Sequence, residues 1–266
     1  MAASRDLEKA KEAYKEKDVE KMKEAHSVKA PERHQREAGK YVKSLIYGGV
    51  DGIITTFAIV AGVVGANLDF SAILILGFAN LLADGLSMGI GDYLSSKSER
   101  EYEMGERERE EWEVEHYPEG EKKEMIEIYE DKGMSSEDAK SVVEVISKYP
   151  VAWVDVMMAE ELGIIETDES PIKNGIATFL SFAVFGFVPL ITYVIAQLTP
   201  SLRDNPSLSF LLACILTGIT LFVLGSLKVK VTGKNFIRSG LEMLALGGIA
   251  AAAAYGIGFG LRALIN

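Results

Sequence analysis

Five stretches of this chain, residues 52–68, 70–83, 174–202, 205–227 and 243–261, contain no Asp, Glu, Lys or Arg, and nothing else in the sequence limits its fold as sharply. A hydrocarbon layer about 30 Å thick is crossed by about 20 helical residues. Helices are the natural solution there, because each backbone N–H and C=O must be satisfied within the segment itself. Spans are therefore expected near 45–67, 71–94, 172–197, 207–228 and 239–262. Whole-chain averages of 48% hydrophobic and 25% charged residues, with mean hydropathy +0.13, conceal this, because residues 97–169 are as crowded with charge as the spans are empty of it.

The net charge of −11 is just as unevenly divided: residues 1–44 hold twelve Lys/Arg against nine Asp/Glu, whereas residues 96–170 hold nine against twenty-four. A polyanionic block repels phosphate backbones and attracts cations, so a nucleic-acid partner is excluded on sign. Lys and Arg also set the expected topology, since short cytosolic loops carry more of them. Loop 67–71 has none and loop 198–206 has Arg203, whereas loop 228–238 has Lys228, Lys230, Lys234 and Arg238. This alternation puts the N-terminus, the acidic insertion and the 228–238 loop in the cytosol. The expected organisation is an all-α, polytopic membrane protein with five transmembrane helices and a helical cytosolic insertion between spans two and three. Residues 1–40 form a polar arm, more solvated than packed; 41–95 hold spans one and two, 96–170 the Glu-rich insertion, and 171–266 spans three to five. The charged N-terminus lacks the apolar core of a cleavable secretory signal.

Within the insertion, a charged helix is expected over 95–116, ended by Pro118 and Gly120. An amphipathic helix follows over 121–132 and stops at Gly133, and a third starts at the capping sequence Ser135-Ser136-Glu137-Asp138 and runs to about Lys148. Pro150 separates it from a fourth over 151–163. Glycines recur four apart at Gly48/Gly52, Gly85/Gly89 and Gly256/Gly260, a spacing that lets helices approach closely in lipid, within a bundle or between copies.

Cys214 is the sole cysteine and sits in an apolar run, so any metal site within one chain must use oxygen, nitrogen or thioether ligands. On the long helix, Glu99, Glu103, Glu106, Glu110 and Glu113 follow one another at four, three, four and three residues and share one stripe. Like charges on one face repel, and Arg100, Arg107 and Arg109 relieve them only in part; a solvated acidic face is the plain alternative to bound cations. Glu121 and Glu124 add another pair at i, i+3, and Met157, Met158, Glu160 and Glu161 cluster on the last helix of the insertion. Carboxylates with thioethers suit Fe(II), with Mn(II) or Co(II) as candidates, better than Ca(II) or Mg(II). The two methionines fit a plain core equally well. Inside the spans, Asn80, Asp84 and Met88 are four apart on one face, Asp92 follows, and Asp51 lies in the first span with Thr55 and Thr56 a turn beyond. Acids in lipid are costly and are default candidates for an ion path. Glu242 fits the water-facing start of the last span.

No Gly-x-x-x-x-Gly-Lys-Ser/Thr, no Gly-x-Gly-x-x-Gly after a strand and no Gly-x-Ser-x-Gly occurs, so no catalytic residues and no prosthetic cofactor are expected. Glu113-Val114-Glu115-His116 matches the Glu-x-x-His of di-iron bundles, but only once.

From about Tyr41 onward the chain resembles the vacuolar iron transporters, the VIT or CCC1-like family. The resemblance rests on Asp51-Gly-Ile-Ile-Thr-Thr-Phe-Ala-Ile-Val-Ala-Gly, on Gly77-Phe-Ala-Asn-Leu-Leu-Ala-Asp-Gly-Leu-Ser-Met-Gly-Ile-Gly-Asp-Tyr-Leu-Ser, and on the Glu-rich insertion. It implies a homodimer with the ion path at the subunit interface, exporting cytosolic Fe(II) across a vacuolar membrane in exchange for protons. It also implies metal ligands at Glu110, Glu113, Glu121, Glu124, Met157, Met158 and Glu161, to which the acidic stripe adds Glu106, and pathway residues at Asp51 and Met88, to which helical spacing adds Asp84 and Asn80. An Mn(II)-preferring transporter and a membrane-anchored di-iron or metal-buffering protein without transport are the alternatives.

Overall fold

The computed structural model describes residues 6–27, 41–165, 169–227 and 235–265, all helix or short connection, with no strand among them. Lys228, Lys230 and Lys234 of the expected cytosolic loop, and most of the stretch linking the arm to the first span, lie outside the described residues. In chain order the helices are α1 (Leu7–Glu16), α2 (Val19–Ser27), α3 (Val42–Gly65), α4 (Phe70–His116), α5 (Pro118–Asp131), α6 (Ser136–Ile146), α7 (Pro150–Glu160), α8 (Pro171–Leu198), α9 (Pro200–Arg203), α10 (Pro206–Leu227) and α11 (Phe236–Ile265). Five of them, α3, α4, α8, α10 and α11, are long and apolar enough to cross a membrane.

Two compact units emerge, one from residues 1–89 with 176–266, the other from residues 90–175. In the first, α1 and α2 form a hairpin: Asp6 accepts the Lys9 N–H as an N-cap, Lys17 turns the chain at φ 57°, and Ala10, Ala13 and Ala25 are buried. The seam between the two helices is made of these alanines, while most other described residues of the arm are exposed. The spanning helices of the same unit pack around Phe57, Val60 and Val63 of α3, Ile73 and Leu81 of α4, Phe182, Leu190 and Tyr193 of α8, and Ala213 of α10. A second cluster joins Ile53, Leu221, Leu224 and Met243. Gly48 and Gly52 are used within the chain: a Cβ on either would strike the backbone carbonyl of Thr178 or Phe182 on α8. Ser181 closes that contact by donating to the Leu45 carbonyl. Gly256 and Gly260, by contrast, face open space.

The second unit holds the end of α4 together with α5, α6, α7 and the approach to α8. No glycine or proline interrupts α4 between Leu94 and the charged run, so the second span and the first helix of the insertion are one 47-residue helix. Pro118 and Pro150, expected as breaks, occupy the first turns of α5 and α7, where a missing N–H costs nothing. Gly133, at φ 95°, ends α5, and the Ser135 hydroxyl accepts the Asp138 N–H to start α6. The core of this unit is Val114, Met125, Val143, Trp153, Val154, Met157 and Met158.

Candidate metal centre

One residue of the acidic stripe is turned fully inward. Glu110 is 1% exposed, while Glu106 and Glu113 are partly covered, and Glu99 lies at the surface. Glu110 points inward because α7 lays its Trp153, Met157 and Met158 against Val114 and Met125, creating a dry interior that one face of α4 must close. Glu121, in the first turn of α5, is buried as well, and Glu161 caps the end of α7. Glu110, Glu121 and Glu161 each offer a carboxylate oxygen, and these three oxygens lie within 4.8 Å of one another. Oε2 of Glu110 and Oε2 of Glu121 are shielded from solvent without a hydrogen-bond partner.

Burial and mutual repulsion favour the protonated form of these acids. Glu110 is pushed up to about 7, first by burial, then by the charges of Glu161 and Glu113, with Arg109 opposing; it belongs to the charged half of α4, beyond the apolar span. Glu121 is likewise pushed up to about 7, by burial first and then by Glu124, Glu110, Glu113 and Glu161. Glu161 is raised by burial and by Glu124 and Glu113. Five carboxylates therefore share one electrostatic neighbourhood, and a divalent cation there would replace protons and relieve the repulsion together. Met157 and Met158, buried in the adjoining core, offer the only thioethers on α7.

Not all the expected residues converge. Glu106 is drawn to Arg109 at 2.7 Å and stands outside the triad. Arg109 also approaches Glu110 at 3.5 Å and Glu113 at 3.9 Å, which makes it the countercharge of the centre, a role the helical spacing alone did not single out. Glu160 is engaged by Lys132, and Arg107 bridges Glu111 and Asp155 at 3.1 and 2.8 Å. His116, the last residue of Glu-x-x-His, donates its Nδ1–H to the Trp112 carbonyl at 2.9 Å and stacks on the Trp112 ring at the surface, away from the buried acids. The sequence reading also missed Trp153, whose indole N–H is buried without a partner in the core beside the centre.

In the spanning helices, Asp51 and Met88 are half-buried, and Asp84 is exposed on α4 between the exposed Leu82 and Leu86. Asp51 and Asp84 are close enough for their charges to interact. Asn80 donates to the Thr55 and Thr56 hydroxyls at 3.3 and 3.4 Å, and Thr55 in turn donates to the Asp51 carbonyl at 2.8 Å, so the amide ties α4 to the turn that carries Asp51.

Comparison with known proteins gives a consistent picture. The sequence pattern of the VIT family matches residues 42–259. A protein named vacuolar iron transporter from Toxoplasma gondii is 43% identical, covering 88% of this chain and 79% of its own length. One of the same name from Plasmodium falciparum is 42% identical over 83% of this chain and 82% of its own. Vacuolar iron transporter 1 of Arabidopsis thaliana is 35% identical over 82% and 85%.

Proposed function

The chain belongs to the VIT family, and on that premise we propose that it is a proton-coupled antiporter moving cytosolic Fe(II), and other divalent transition metals after it, across a vacuolar membrane. The names of its relatives support iron as cargo and the vacuole as location, and they describe transporters rather than enzymes. The observation that carries the reading is the pair of buried, unpartnered carboxylate oxygens on Glu110 and Glu121, set beside Met157 and Met158 in a chain with five spans. Such a centre binds a borderline divalent ion by giving up protons near neutral pH.

In this mechanism the insertion, on the cytosolic side, captures the ion with Glu110, Glu121 and Glu161, with Glu113 and Glu124 completing the charge and Met157 and Met158 adding softness. Asp51 and Met88 then pass it through the membrane, and protonation of carboxylates drives release. The outward-facing Asp84, stranded among Leu82 and Leu86, favours a homodimer in which a second copy covers that face and completes the path.

Proteoliposomes with an acidic lumen test this directly. Fe(II) uptake should follow the imposed pH gradient and fall by at least about tenfold in Asp51→Ala, a barrier change of ~1.4 kcal/mol. Undiminished flux in that variant would remove Asp51 from the path. Competition by Mn(II) in the same assay ranks the two ions, and metal binding without flux would select a buffering protein instead.

A further inference from the structure

A second cluster of oxygen donors stands apart from the Glu/Met centre and is used by nothing described above. Ser96, Glu99, Arg100 and Glu103 follow one another on α4 at i, i+3, i+4 and i+7, so they share one face. With Glu169 and Asn174, from the approach to α8 and its first turn, they line a cavity of about 20 Å³. That is room for about one water or one ion.

Asn174 decides what the cavity wants. It is 5% exposed, and its Nδ2 donates to Ser96 Oγ at 3.0 Å and to Glu169 Oε2 at 3.2 Å. Its Oδ1 is shielded from solvent and has no partner. Flipping the amide does not help, because a carboxylate only accepts and would then meet a second acceptor. The side chain is thus locked with a bare carbonyl oxygen beside three carboxylates and one guanidinium. The formal balance is two negative charges, and none of the lining residues supplies nitrogen or sulfur suited to a soft metal.

We propose that this cavity is a second cation site, built from oxygen alone for a hard divalent ion of the Mg(II), Ca(II) or Mn(II) class, with Asn174 Oδ1 and Glu169 as its anchoring donors. Glu103 and Glu99 neutralise the ion from α4, and Arg100 limits the excess negative charge. Occupied, the site fastens the segment entering α8 onto the polar continuation of α4; it selects against the soft ions that the thioether centre prefers.

The test uses the full-length protein in nanodiscs, with Glu110→Gln and Glu121→Gln introduced to silence the other centre. Mn(II) is the probe, its free fraction read by electron paramagnetic resonance. The background protein should bind one Mn(II) that Ca(II) displaces, and adding Glu169→Gln should weaken that binding by about tenfold or more, as the loss of one charged ligand does. Asn174→Asp, which trades the neutral oxygen for a charged one, should be unstable without ions and recover its melting temperature with Mn(II). Equal Mn(II) binding in the background and in Glu169→Gln would overturn the site, as would Asn174→Asp that Mn(II) does not rescue. An Mn(II) ion that Ca(II) fails to displace would overturn the hard-ion class.

Discussion

The insertion and the spans both set carboxylates near methionine, yet they finish the job differently. In the insertion, oxygens from α4, α5 and the end of α7 converge within 4.8 Å inside one chain. In the spans, Asp84 faces outward between Leu82 and Leu86, and Asp51 and Met88 are half-buried. Water explains the contrast. A crowded acidic centre in an aqueous domain survives without its ion, because protons and an arginine such as Arg109 relieve it. A carboxylate on a lipid-facing helix has neither, so it persists where another surface covers it. A single chain therefore brings the insertion's carboxylates together by itself, whereas under the proposed mechanism Asp51 and Asp84 need a second copy to cover them.

The comparison breaks most visibly if the insertion is disabled alone. Glu110→Gln with Glu121→Gln keeps the shape of the protonated acids while removing two ionisable ligands. Fe(II) or Co(II) affinity at the insertion, followed by calorimetry, should drop by about tenfold to a hundredfold, while flux at saturating metal persists through Asp51. Loss of flux even at saturation would make the insertion part of the path. The same variant has a pH signature. Glu110 and Glu121 are raised from 4.5 to about 7, so the folded apo protein keeps protons that the unfolded chain releases. Their stabilising contribution is complete below pH 4.5 and disappears as pH climbs through about 7. The melting temperature of the metal-free protein should fall across that window and be restored by metal, and the double variant should show a flatter curve.

How far the sequence shows these two regions in advance follows from what each depends on. The spans are legible because lipid forbids charge, and absence of charge is a local property: α3, α8, α10 and α11 fall within a few residues of the stretches expected. The join between the second span and the insertion is not, since a helix continues wherever nothing stops it and α4 runs through the change of solvent. The centre is legible in composition but not in selection. Helical spacing places Glu99, Glu103, Glu106, Glu110 and Glu113 on one stripe, whereas Glu110 is singled out beside the buried cluster that gathers Val114, Trp153 and Met157, residues some forty apart in the chain. Asn174 was invisible for the same reason, since its orphaned oxygen exists only once Ser96 and Glu169 have engaged its amide nitrogen.

The methionines sharpen the contrast at the next level of effect. Met157 and Met158 are buried, so Met157→Leu and Met158→Leu conserve volume and should cost under about 1.5 kcal/mol of stability each. What they remove is the thioether. If sulfur is a ligand, Fe(II) and Co(II) affinity should weaken several-fold while Mn(II) affinity holds, because the harder ion gains little from sulfur. An equal change for all three ions would reduce the methionines to packing and leave the insertion with an oxygen site.

The smallest expected effect concerns Arg109, and its sign depends on pH. The guanidinium reaches Glu106, Glu110 and Glu113 and opposes the upward shift of Glu110 and Glu161, so it repels an incoming cation as well as holding the acids ionised. In Arg109→Gln, metal binding well above pH 7 meets bare carboxylates, and affinity should rise by about twofold to fivefold, the range of a half-exposed ion pair. Below about pH 5.5 Glu110 and Glu121, both raised to about 7, carry protons, and one divalent ion displaces the two. Two protons and one divalent ion feel the same repulsion from the arginine, so its removal cancels and affinity should stay unchanged. Calorimetry at both pH values reads the difference. A gain of equal size at both would mean that the ion binds without displacing protons, and would sever the link between this centre and proton coupling.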